Sequence, residues 1–179
     1  MRSIVFTIVV ACLLAVSCNA EFLSRPRDSD PQQILQQYLN GFFEQAGLPD
    51  PTTIVTTCFD EDSARLTDNA VSAFVDQLAR QQIVAAEKTA FDYIKEIPPS
   101  VGKCLSQNAE AKQALDAYGL NNLTPTQFVL KIAQYDLTHY NLIEQFLTGC
   151  DQAIEAQNYT QAGQLIGQGL QTIFPKLAL

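Results

Sequence analysis

An all-α single domain, a bundle of five to seven helices with one disulfide, is the fold class this sequence predicts. Three observations carry that reading. Apolar residues recur at spacings of three and four along almost the whole chain after residue 30. Each run is closed by proline or glycine. No useful length alternates with period two, and no Asn-Gly signal joins β-rich runs.

The chain opens with a leader. Arg2 supplies a positive start, and Ser3 to Val16 follow without a charge. That run is too short to span a bilayer, which needs about twenty residues, and fits the apolar core of a signal peptide. "SCNA" places Cys18 and Ala20 at the small-residue positions before a cut after Ala20. The alternative is a lipoprotein box, "AVSC", with Cys18 acylated and the protein lipid-anchored. Residues 1–20 are thus read as signal peptide, 21–29 as a flexible segment and 30–179 as the helical domain. No later apolar run reaches membrane length, so no transmembrane span is expected.

In the domain, Asp30 caps and Pro31 fills the first helical position. Ile34, Leu35, Tyr38, Leu39, Phe42, Phe43 and Ala46 then repeat at helical spacing until Gly47. Asp50 and Pro51 restart a short helix or turn, although the β-branched run 52–57 also suits an extended strand. Val71, Phe74, Val75, Leu78, Ile83, Ala86, Phe91, Ile94 and Ile97 form the longest periodic stretch, with one slip near Gln81. Pro98 and Pro99 stop it. Short helices follow over 101–106 and 109–117, the second closed by Gly119. "TPTQ" at 124–127 is a capping box with proline at the first helical position. The helix it opens aligns Phe128, Ile132, Tyr135, His139, Leu142, Ile143, Phe146 and Cys150 along one side and ends at Gly149. A last helix over 161–174 is closed by Pro175.

Composition excludes several functions. Removing 1–20 takes away Arg2, leaving 10 basic residues (11 − 1) against 19 acids, a net charge near −9. Such a chain repels phosphate backbones, so no nucleic-acid partner is expected. Three cysteines remain of five: Cys58, Cys104 and Cys150. In an oxidising compartment an odd count means one disulfide plus one leftover thiol, or an intermolecular bridge. Cys58 with Cys104 is the preferred pair, because both follow short connections at helix ends. Cys150 is then a buried free thiol or the intermolecular one. No Cys-x-x-Cys pair is present, and one histidine is too few for a usual catalytic zinc site. No metal or other cofactor is expected. Asp60, Glu61, Asp62 and Asp68 cluster, but they lack the ligand alternation and glycine of a calcium loop and read as a solvated turn.

His139 and Cys150 are ingredients of a thiol nucleophile. Eleven helical residues separate them by about 16 Å, far beyond hydrogen-bond reach. A Cys/His hydrolase is therefore the least favoured reading, and the protein is read as no enzyme. Asn122 and Asn158 open Asn-x-Thr sequons between helices, where a glycan has room in a eukaryote; in a bacterium the pattern carries no meaning. Phe42, Phe74, Phe91, Phe128, Tyr135, His139 and Phe146 can line an apolar cavity for a small hydrophobic ligand, or simply fill a core. Gly163 and Gly167, four apart, suit either a tight crossing inside the bundle or a homodimer face.

The leader, an early "GFFEQAGLPDPTTIV", then "IPPSVGKCL", "DLTHYNLI" and a final glycine-rich helix resemble small secreted all-helical proteins found in ciliate protists. The likeness spans most of the mature chain. It implies a fold and a compartment, transfers no functional residue, and leaves Cys150 additional to that group's two-cysteine pattern. The expectation is a secreted, non-enzymatic binding or interaction protein for a small hydrophobic ligand or another protein. The alternative is a self-associating structural or surface-coat protein built on Cys150 and the glycine face.

Overall fold

The computed structural model describes residues 30–79, 82–120 and 125–174. Residues 1–20, with Cys18, and the segment 21–29 lie outside these residues, as does Asn122. Among the described residues every regular element is a helix: α1 (Pro31–Gln45), α2 (Ile54–Cys58), α3 (Glu61–Ala79), α4 (Ile83–Glu96), α5 (Pro99–Gln107), α6 (Ala109–Ala117), α7 (Pro125–Glu155) and α8 (Tyr159–Ile173). Seven of these run nine residues or more and α2 is little over one turn, so the all-α single domain is the observed fold class.

Helix α1 starts as its sequence dictates. The Asp30 carboxylate accepts the Gln32 N–H at 2.9 Å, and Pro31 occupies the first turn. It stops at Gly47, whose φ of 71° puts the chain in the left-handed region. There the Leu48 N–H reaches back to the Phe43 carbonyl. Gly119 (φ 68°) closes α6 in the same manner, with Leu120 N–H on Leu115 O.

The core is centred on α1 and α8, which pack more extensively than any other pair. Their contacts rise together along both chains: Tyr38 with Tyr159, Glu44 with Gln164, Gln45 with Gln171. The two helices therefore run side by side in the same direction. Glycines bring them close. A Cβ on Gly41 would lie 1.8 Å from the Thr160 carbonyl oxygen, and one on Gly163 would lie 2.1 Å from that of Tyr38. Around this crossing Ile34, Leu35, Phe42, Ala162, Ile166 and Leu170 are buried. The Tyr118 ring stacks on Phe42 at 4.3 Å and its hydroxyl donates to the Phe42 carbonyl at 2.6 Å.

Helix α7 lies antiparallel to α8, since Cys150 meets Ala162 and Phe146 meets Gly169. Helices α3 and α4 form an antiparallel hairpin, with Thr67 bonded to Tyr93 and Gln77 to Thr89. The hairpin packs chiefly on itself, α3 adding smaller contacts to α1 and α7. No helix among the described residues is long and apolar enough to cross a membrane.

Several boundaries move. The 52–57 run is helical from Ile54, the short helix that Asp50 and Pro51 suggest, although Thr53 rather than Asp50 precedes its first turn. The long periodic stretch begins earlier, at Glu61, because Asp60 caps it: Asp60 accepts the Ser63 N–H at 2.8 Å and the Ser63 hydroxyl accepts the Asp60 N–H at 3.0 Å. Helix α7 does not end at Gly149 but continues to Glu155. Gly149 lies within the helix, where an added Cβ would make ordinary contact with the Leu165 side chain at 3.4 Å. Helix α8 begins at Tyr159 with Asn158 as cap, two residues before the expected start.

Candidate functional site

The Cys58 and Cys104 sulfurs are bonded, with Cα atoms 5.4 Å apart. The bond links the end of α2 to α5 and so closes the segment containing the whole α3–α4 hairpin. The start of α2 is held from across the chain. Glu110, in the first turn of α6, accepts the Thr52 and Thr53 N–H groups at 3.3 and 3.1 Å and both their hydroxyls. Partial burial pushes the Glu110 carboxyl up, but the bonds from Thr53 and Thr52 outweigh it and leave it below the usual range. This clamp escaped sequence reading, because nothing local connects residues 58 positions apart.

Cys150 is outside the disulfide and 3 % exposed, with its sulfur 3.7 Å from the Ala162 carbonyl oxygen. Burial under α8 removes it as an intermolecular bridge. Of the two readings of the glycine pair, the tight crossing is the one seen: Gly163 and Gly167 face α1 and Tyr118 inside the bundle. Both motivations for the self-associating coat protein are thereby lost.

His139 does not lie along the core. It is exposed, and it has non-helical angles (φ −133°, ψ 34°) where α7 kinks. Beside the kink the Thr138 hydroxyl lies 3.2 and 3.1 Å from the Gln134 and Tyr135 carbonyls. Such back-bonding bends helices. The hydroxyl also meets His139 Nδ1 at 2.7 Å, and the imidazole stacks on Tyr135 at 4.2 Å. His139 and buried Cys150 thus remain apart, and the structure brings no Cys/His pair together there.

Of the other proposed lining residues, Phe42 is taken up by its stack on Tyr118, while Tyr135 and Phe146 are half-buried. The side chains of Phe74, Phe91 and Phe128 lie outside the described ones; their helices are α3, α4 and α7. The acidic cluster is no solvated turn: Asp68 is buried within α3, and the other three residues form its start. Asp60 caps it, and Glu61 and Asp62 sit in the first turn, where the helix dipole favours negative charge. Hydrogen bonds from the Ser63 hydroxyl and then its N–H hold the Asp60 carboxyl below its usual range. No group of three or more His, Cys, Asp or Glu among the described residues is arranged to hold a metal ion. Asn158 is exposed and caps α8, accepting the Gln161 N–H at 3.1 Å. No protein-family model, curated relative or solved structure matches the chain.

Proposed function

We propose that this is an exported, non-enzymatic binding protein, whose small hydrophobic ligand lodges between the α3–α4 hairpin and the first half of α7. One observation carries the placement. The α1–α8 half is filled by its own rings and closed by glycine contacts, whereas among the described residues α4 packs chiefly against α3. Yet α4 carries Ile83, Ala86, Phe91 and Ile94 at helical spacing, α3 carries Phe74, and α7, which α3 touches, carries Phe128. Apolar stripes on neighbouring helices gain free energy by covering an oily molecule between them.

Export is supported by the leader and by the Cys58–Cys104 bond, which persists in oxidising compartments. The resemblance to secreted proteins of ciliate protists points the same way. A non-catalytic role is supported by His139, whose partners on the exposed kink are Thr138 and Tyr135.

Native mass spectrometry of the purified chain, before and after organic extraction, tests the ligand. A bound small molecule lost on extraction is expected, with the extracted chain then taking up Nile red. Phe91→Ala should weaken dye binding about tenfold, the equivalent of losing most of one buried ring. No co-purified molecule and no dye uptake overturn the reading.

A further inference from the structure

We infer that Asn158 is an N-glycan acceptor that is open only before α8 docks on α1, so that folding itself closes the modification site. The inference rests on the export reading above for its setting, but its chemistry belongs to the sequon Asn158-Tyr159-Thr160. In the transfer, Asn158 Nδ2 bonds to the anomeric carbon of a polyprenyl-diphosphate-linked oligosaccharide. The carbon–oxygen bond to the diphosphate breaks, the diphosphate leaves, and Nδ2 gives up one proton.

Folding takes that substrate out of an extended, accessible chain. Asn158 Nδ2 donates to Gln161 Oε1 at 3.0 Å while Oδ1 accepts the Gln161 N–H. Tyr159 is buried, its ring 5.2 Å from that of Tyr38. Thr160 is the second residue of α8, and its carbonyl is pressed against Gly41. Residues two apart at the start of a helix do not face each other, so Asn158 and Thr160 no longer present one recognition edge. The finished product nevertheless suits the fold. Asn158 is exposed, a glycan leaves Oδ1 free to keep capping α8, and Nδ2 keeps one N–H for Gln161.

The test offers the full chain, carrying Asn122→Gln so that only one sequon remains, to purified oligosaccharyltransferase and its lipid-linked donor. Folded, oxidised protein is compared with reduced, denaturant-diluted protein, and attachment is mapped by peptide mass. Glycan at Asn158 is expected in the unfolded sample and at least about tenfold less in the folded one, the factor for a local opening cost of about 1.4 kcal/mol. Asn158→Asp, which keeps a capping oxygen, and Thr160→Ala should both abolish it. Equal modification of both samples, or none in the unfolded one, overturns the inference. Because the assay bypasses export, failure of the export reading shows up separately, as a chain that never reaches the medium of a secreting host.

Discussion

The α1–α8 pair and the α3–α4 hairpin are both two-helix units, and opposite physics holds them. Helices α1 and α8 come from the two ends of the domain and run parallel, so joining them closes a very long loop. Contact through Gly41 and Gly163 offsets that cost by letting backbones touch. Helices α3 and α4 are neighbours in sequence and pair cheaply, and among the described residues they pack chiefly on each other. Their tether lies at the base, in the Cys58–Cys104 bond. A long-range pair needs fit, whereas a peripheral local pair needs a staple.

Removing the staple should have the largest effect. Replacing Cys58 and Cys104 together by alanine frees a loop spanning 46 positions and should lower unfolding free energy by about 4 kcal/mol in the chain-entropy model. Hydrogen exchange is expected to rise first in α3 and α4, with α1 and α8 remaining the most protected. Equal loss of protection in both units would break the comparison and make the domain one cooperative block. Gly41→Ala is the reciprocal experiment. Its Cβ meets a backbone oxygen that has no room to move, which should cost about 3 kcal/mol in chemical denaturation and loosen α8 while sparing the hairpin. Gly149→Ala, whose Cβ meets only the flexible Leu165 side chain at ordinary contact distance, should instead stabilise the protein by about 0.5 to 1 kcal/mol.

Much of this was legible in the chain. Asp30-Pro31 and Gly47 bound α1 as expected, because caps and left-handed stops act within a few residues. What escaped was decided at a distance or by geometry that spacing cannot reveal. Gly149 has the composition of a stop but lies within α7, beside Leu165. Gly41 attracted no notice, since its role exists only once Thr160 arrives. Periodicity placed His139 along an apolar stripe, yet the helix kinks there and leaves the imidazole exposed. The disulfide pairing followed from its flanking sequence, while the Glu110 clamp beside it left no local trace.

A smaller prediction concerns the turn between α7 and α8. Gln157 adopts φ 56°, the region that Gly47 and Gly119 occupy at the ends of α1 and α6. Its hydrogen bonds are of the same kind, with Asn158 N–H on Ala153 O at 2.7 Å. Gln157→Gly should therefore stabilise the protein by about 1 kcal/mol in thermal or urea melts, as relief of left-handed strain. The gain should slow exchange in α8 and leave α3 and α4 unchanged, which sharpens the separation between the two units.

The smallest effect is a pH dependence confined to the base of the hairpin. Glu110 clamps the start of α2, and its carboxyl is lowered from an ordinary value of 4.5. A group that is more acidic when folded contributes stability above its unfolded pKa and loses it as pH falls through the folded one. Glu110→Gln should thus cost about 0.5 kcal/mol at pH 7, kept small by solvent screening at a half-exposed site. Below about pH 4.5 the difference between parent and variant should shrink and then vanish, because the parent's clamp becomes protonated. Other carboxylates, Asp60 among them, titrate in both proteins and cancel in that difference. Urea midpoints measured for the pair from pH 7 to pH 3 check the sign. A gap that widens in acid would mean that Glu110 is held by something other than its charge, and that the hairpin's base depends on the disulfide alone.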